Sequence, residues 1–83
     1  MMTLQFLTRK DCALCYSALA VVHRVQKDVV FEVEVVDIDQ DPALRALYND
    51  VIPVVKYNNV ELARTFIDEK KLKQAIRNLF VKS

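Results

Sequence analysis

The chain has 83 residues, of which 53% are hydrophobic and 28% are charged, and it carries a net charge of +1. These proportions indicate one globular domain, residues 1–83, whose core needs no disulfide support. Because no cluster of basic residues stands out, nucleic acid and membranes are excluded as expected partners, and because glycine is absent, a glycine-rich nucleotide loop is excluded as well.

The first segment predicts a strand followed by a helix. Residues 3–8 include Leu4, Phe6 and Leu7, so both faces of this strand should be covered, as in a central strand. The segment lacks the basic leader and long apolar run of a signal peptide or membrane span, and we therefore expect a cytoplasmic protein. Over residues 14–27, apolar side chains recur at helical spacing, which predicts one buried helix face: Cys15, Ala18, Leu19, Val22 and Val25.

A second strand is expected over residues 29–37. Phe31, Val33 and Val35 alternate there with acidic residues, which is typical of a strand with one buried face. Since a helix of about four turns separates the two strands, they should be parallel and joined by a right-handed crossover. The dipeptide Asp41-Pro42 then suits the start of a short helix of about two turns.

The C-terminal part predicts a hairpin and a last helix. Residues 51–57 and 60–64 have the composition of strands, and Asn58-Asn59 between them tolerates the positive φ of a two-residue turn. Asp68 is a suitable N-cap for a helix whose apolar stripe follows at helical spacing: Leu72, Ala75, Ile76, Leu79 and Phe80. The predicted order is therefore βαβαββα.

Both cysteines of the chain lie between the first strand and the first helix, in a Cys12-Ala13-Leu14-Cys15 motif. Because a helix brings residues i and i+3 onto one face, the two thiols can close a reversible disulfide. A helix N-terminus lowers the pKa of a cysteine from about 8.5 into a range of about 3.5 to 7.5. Cys12 is therefore the expected nucleophile, and Cys15 is the expected resolving thiol that releases the reduced product.

The CxxC at a strand-to-helix junction, the βαβ unit and Pro53 at the start of a ββα unit together resemble the thioredoxin fold in its glutaredoxin-sized form. Residues 7–15, 36–39 and 51–54 look most like the glutaredoxin-like proteins of bacteria. The resemblance implies an α/β, thioredoxin-like fold with a four-stranded mixed sheet in the order 2-1-3-4 and helices on both faces. It also implies that the Ile52-Pro53 peptide bond is cis and lies beside the cysteines.

The same resemblance implies a glutaredoxin-like disulfide reductase that acts on protein disulfides or glutathione mixed disulfides. Glutathione or a reductase would be the electron donor, and we expect a monomer with no resident cofactor. Arg9 matches the basic residue that contacts a glutathione carboxylate in the family, and Ile52 and Pro53 are expected to bind substrate. Tyr16 is a further candidate for the substrate groove, although an aromatic side chain in the first helical turn also suits packing.

Two positions differ from typical glutaredoxins. Those proteins have Thr-Val-Pro where this chain has Val51-Ile52-Pro53. They also carry a Gly-Gly pair near the start of the last helix that helps to hold glutathione, whereas residues 64–68 of this chain contain no glycine.

Metal binding is the nearest alternative chemistry, because CxxC is also half of a zinc site. The single histidine, His23, is eight residues beyond Cys15, about 12 Å along the helix, so it cannot complete that site. A metal would need a second subunit or an external thiol. Three aspartates have the spacing found in a calcium-binding loop: Asp37, Asp39 and Asp41. The Gly and the Glu that such a loop also requires are absent, so helix capping and solvation explain these aspartates better.

Two other functions are compatible with the same fold. A non-catalytic binding module would hold a partner peptide beside Pro53, with the cysteines incidental. An iron-sulfur carrier would share a cluster between the CxxC motifs of a dimer.

Overall fold

The structure, a computed structural model, describes residues 2–81. The predicted order of strands and helices is confirmed. The elements are β1 (Thr3–Thr8), α1 (Ala13–Val25), β2 (Glu32–Asp37), a 3-10 turn (Ile38–Gln40), α2 (Pro42–Tyr48), β3 (Val54–Tyr57), β4 (Val60–Arg64) and α3 (Glu69–Val81).

The four strands form one mixed sheet in the order β2-β1-β3-β4. β1 is parallel to β2 along its whole length, and β3 runs antiparallel to β1, with Phe6 opposite Val55. β4 is antiparallel to β3, and the turn between them contains Asn58 at φ 53, as the Asn-Asn dipeptide predicts. The thioredoxin-like sheet order is thus confirmed, and β1 is a central strand whose carboxyl end leads to the cysteines.

Strand β2 departs from its predicted pattern in two ways. It begins at Glu32 rather than residue 29, and Phe31 is buried just before it. Val35 was expected on the buried face but is 55% exposed. The reason is that β2 is an edge strand, and the side of it that carries Val35 opens into a cleft beside the first turn of α1.

Strand β3 is shorter than predicted. It begins at Val54, not at residue 51, because Pro53 has no N–H to donate to a neighbouring strand. Ile52 and Pro53 are nevertheless buried in the segment that precedes the strand.

The core lies between the sheet and the pair of helices α1 and α3, which contact each other. Both helices contribute buried side chains to one cluster that also includes Leu4, Phe6 and Val54 of the sheet. In α3, Leu72 and Ile76 are buried, whereas Phe80 in the last turn is 48% exposed. No helix within residues 2–81 is long and apolar enough to cross a membrane.

Truncation of a core side chain in α3 should destabilise the fold strongly. Ile76 is fully buried, so Ile76→Ala should leave a cavity and lower the free energy of unfolding by about 2–5 kcal/mol. The measurement is urea unfolding followed by far-UV circular dichroism. Lys70→Ala, on the exposed side of the same helix, is the control and should change the stability by less than about 0.5 kcal/mol. Equal losses in both variants would show that α3 does not dock as described.

Candidate functional site

The two cysteines lie where the chain turns from β1 into α1. Asp11, with φ 59, turns the chain, and Cys12 is the N-cap of α1. The backbone N–H of Cys15 donates a hydrogen bond to the Cys12 Sγ at 3.2 Å. The Cα atoms of Cys12 and Cys15 are 5.2 Å apart and their sulfurs lie at disulfide distance.

The two sulfurs differ in their access to solvent. Cys12 is half-buried at the edge of the core cluster, whereas Cys15 is only 2% exposed and belongs to that cluster. An external disulfide or thiol therefore meets Cys12 first. Cys15 is positioned to react only with a sulfur already next to it.

The segment before β3 is held by the chain that follows β4. The Ile52-Pro53 peptide bond is cis. The Thr65 N–H donates to the Pro53 carbonyl at 2.7 Å, and the Thr65 hydroxyl donates to the Val51 carbonyl at 3.0 Å. Two hydrogen bonds from one residue thus fix the position of the proline segment.

Thr65 itself has a backbone conformation that is unusual for its residue type. Its φ of 63° lies in the left-handed region, where a β-branched residue is a genuine outlier and the strain is of the order of 1–3 kcal/mol. It stands in the stretch where glutaredoxins have a Gly-Gly pair, and glycine adopts this conformation freely. The role of Thr65 could not be predicted from the sequence, because a β-branched residue disfavours positive φ.

Arg9 is engaged by side chains of the chain itself. Its Nη2 lies 2.7 Å from Asp39 Oδ1 and 2.8 Å from Asn49 Oδ1, and its Nε donates to Asp39 Oδ2 at 3.2 Å. The hydrogen bond from Arg9 lowers the pKa of Asp39 below its ordinary value, and the same bond raises the pKa of Arg9. Asp39 and Asn49 could not be predicted as partners from the sequence, because they lie 30 and 40 positions from Arg9 in the chain.

A cleft of about 290 Å³ borders one side of the first turn of α1, and it brings Arg9, Cys15 and Tyr16 together. Its remaining lining residues are Phe6, Thr8, Lys10, Leu19, Val35 and Asp37. The other two residues predicted to bind substrate, Ile52 and Pro53, do not line this cleft. The predicted substrate residues therefore do not share one cleft.

A second, smaller cleft of about 180 Å³ lies between α1 and the segment that follows β4. Its lining is mostly apolar and includes Leu14, from within the CxxC motif, and Phe66. Phe66 could not be predicted as a site residue from the sequence, because a single apolar residue in a loop carries no periodic signal.

The residues considered for metal binding serve other purposes. His23 is hydrogen-bonded to Gln26 on an exposed side of α1. Asp37 caps the 3-10 turn through the Asp39 N–H, and Asp41 caps α2 through the Ala43 N–H. Within residues 2–81, no group of three or more His, Cys, Asp or Glu side chains is arranged to hold a metal ion.

Comparison with known proteins gives concordant matches. The model of the family described as Glutaredoxin-like domain (DUF836) matches residues 3–77. Two uncharacterized proteins, Rv0508 of Mycobacterium tuberculosis (strain H37Rv) and Mb0520 of Mycobacterium bovis, are each 29% identical over 77 residues, which cover 87% of this chain and 79% of theirs.

Solved structures of similar proteins have the same fold. Protein Ne2328 of Nitrosomonas europaea is 35% identical over 88% of both chains, with a TM-score of 0.77. Protein XcR50 of X. campestris is 25% identical over 90% of this chain and 96% of its own, with a TM-score of 0.75. Thioredoxin 1 of Thermosipho africanus, at 20% identity and a TM-score of 0.68 over 98% of each chain, is similar in fold.

The Arg9–Asp39 pair should contribute to the pH dependence of stability. Since the pKa of Asp39 is lower in the folded chain, its contribution is present above about pH 4 and is lost as the pH falls through the folded-state pKa. In Asp39→Asn, the free energy of unfolding should fall less steeply below about pH 4 than it does in the wild type. The measurement is urea unfolding over a series of acidic pH values. Arg9→Met should have the same effect, and curves parallel to the wild type in both variants would contradict the pairing.

The hydroxyl of Thr65 should stabilise the fold by about the free energy of one hydrogen bond. Thr65→Val keeps the shape but leaves the Val51 carbonyl without its donor, so it should lower the free energy of unfolding by about 1 kcal/mol. Thr65→Ser retains the hydroxyl and should lose less. Urea unfolding midpoints provide the comparison, and a Thr65→Val variant as stable as the wild type would rule out this role of the hydroxyl.

Proposed function

This chain belongs to the glutaredoxin-like domain family, and we propose that it acts as a thiol–disulfide oxidoreductase. The observation that carries the proposal is the unequal burial of two sulfurs at disulfide distance, with Cys12 accessible at a helix N-terminus and Cys15 covered. Its substrates are protein disulfides or glutathione mixed disulfides. A close, reversible cysteine pair is consistent with a reducing, cytoplasmic setting.

The first step begins from the reduced dithiol. The Cys12 thiolate attacks one sulfur of a substrate disulfide, so that a Cys12–substrate disulfide forms and the substrate S–S bond breaks. The other substrate sulfur leaves as a thiolate and takes a proton from solvent. The half-buried position of Cys12 allows this attack, and the burial of Cys15 prevents it from competing.

The second step closes the pair. Cys15, deprotonated as it reacts, attacks the Cys12 Sγ, which forms the intramolecular disulfide and releases the bound substrate sulfur as a thiolate. Two electrons have then passed from the two protein thiols to the substrate disulfide. Reduced glutathione or a disulfide reductase supplies two electrons to regenerate the dithiol.

The thiolate of Cys12 is stabilised by the start of α1. The Cys15 N–H donates to the Cys12 Sγ, and the helix dipole places its positive end at the same atom. The positive charge of Arg9, three residues before Cys12, is paired with Asp39. The backbone of the helix is therefore the principal source of stabilisation in this proposal.

Single substitutions should separate the roles of the two cysteines. Cys12→Ser should abolish disulfide exchange, because Cys15 is too buried to attack an external disulfide. Cys15→Ser should still attack once and should then accumulate as a mixed disulfide, since no resolving thiol remains. The measurements are reduction of insulin with a chemical dithiol as donor and, in a separate incubation without the dithiol, intact-protein mass spectrometry. Lys70→Ala, which retains both thiols and lies outside both clefts, is the control, and equal amounts of mixed disulfide in the two cysteine variants would contradict the assignment.

A further inference from the structure

The molecule exposes two large apolar side chains beside the redox pair. Phe66 is 77% exposed and Leu14 is 42% exposed, and both line the cleft of about 180 Å³ between α1 and the segment after β4. The other lining residues are small or apolar: Ser17, Ala18, Val21, Thr65 and Ile67. Exposed apolar side chains grouped around a concave surface are typical of a binding site.

Both walls of this cleft are connected through the chain to residues of the redox site. Leu14 lies within the CxxC motif, in the first turn of α1. Phe66 follows Thr65, whose two hydrogen bonds hold the segment against Val51 and Pro53. A molecule seated between Leu14 and Phe66 is therefore next to the residues that would perform disulfide exchange.

The charge around the cleft does not favour an anionic occupant. The N-terminus of α3 adjoins the cleft, and its orphan N–H groups are partly satisfied from within the chain, since Asp68 accepts a hydrogen bond from the Lys71 N–H at 3.0 Å. Glu69 adds a second carboxylate in the first turn and pairs with Arg24 at 2.8 Å. None of the described residues that line the cleft is charged, so the lining offers no cation to pair with a ligand carboxylate.

The cation that was expected to hold a glutathione carboxylate is already engaged within the chain. Arg9 forms a two-point contact with Asp39 and a third contact with Asn49. Glutathione carries two carboxylates and one ammonium group at neutral pH. A glutathione carboxylate bound at Arg9 would therefore have to displace Asp39 and Asn49.

We infer that the Leu14–Phe66 cleft binds an apolar side chain adjacent to the disulfide of a polypeptide, so that the protein prefers disulfides with apolar neighbours to glutathione mixed disulfides. The inference rests on the proposed oxidoreductase function. The occupant carries a disulfide because the cleft adjoins the CxxC motif, and it is apolar and uncharged because the lining is mostly apolar and includes no charged side chain.

The test uses the pre-reduced, full-length protein in a single turnover, which needs no electron donor. Three substrates carry the same chromogenic leaving group, thionitrobenzoate, in a disulfide with a blocked Phe-Cys peptide, a blocked Ser-Cys peptide or glutathione. Each rate constant is divided by that for dithiothreitol, to remove intrinsic reactivity. The Phe-Cys substrate should react about tenfold or more faster than either other substrate, the discrimination expected of an apolar pocket.

Variants then assign the preference to the cleft. Phe66→Ser should slow the Phe-Cys substrate about tenfold and should leave the glutathione substrate within about twofold. Phe66→Leu keeps an apolar side chain and should retain most of the preference. Leu47→Ser is the matched control, because Leu47 is 71% exposed but lies on α2, and all three rates should stay within about twofold.

The outcomes distinguish this inference from the function on which it rests. Equal normalised rates for the three wild-type substrates would overturn the inference and leave the oxidoreductase in place. Faster reaction of the glutathione substrate would also overturn it and would direct attention to the cleft lined by Arg9, Lys10 and Tyr16. If no substrate reacts faster than with alkylated protein, the proposed function fails, and the inference fails with it.

Discussion

Strand β1 is hydrogen-bonded on both sides, to β2 in parallel and to β3 in antiparallel orientation, and its side chains Leu4, Phe6 and Leu7 are buried. A strand with no free edge and two covered faces cannot shift its register without exposing these side chains. Its carboxyl end is therefore a fixed point. Helix α1 starts four residues beyond Arg9, so the position of Cys12 at its N-cap follows from the position of β1.

The elements that could be predicted from the sequence are those whose signal is periodic and local. The stripe of α1 and the Asn58-Asn59 turn are specified within one segment, because backbone geometry alone determines which side chains share a face or tolerate positive φ. The order of the sheet came from the family resemblance, since neither periodicity nor turn chemistry identifies the neighbour of a strand. Val35 was misassigned for a related reason: alternation shows which face a side chain is on but not whether another element covers that face.

The candidate site likewise has features that could be predicted from the sequence and features that could not. The CxxC motif is recognisable from residue type and spacing, whereas the place of Pro53 in the site was implied by the family resemblance. The structure adds the unequal burial of the two sulfurs. The partners of Arg9 could not be predicted, because an ion pair between residues 30 positions apart in the chain depends on how β1 and the 3-10 turn meet. Thr65 is a still harder case, since its left-handed conformation opposes its own residue preference and exists only because tertiary contacts maintain it.

These long-range contacts determine how the redox motif can be used. With Arg9 engaged by Asp39, the stabilisation of a Cys12 thiolate rests mainly on backbone groups of α1, which are independent of any substrate. Through Thr65, the chain after β4 carries a side chain that holds the proline segment, and the next residue, Phe66, projects an apolar surface beside the motif. Under the proposed function, the reacting sulfurs are those of Cys12 and Cys15, whereas the exposed side chains of Leu14 and Phe66 beside them are apolar. In such a site, specificity can vary through one or two exposed residues without any change in the residues that exchange sulfur bonds.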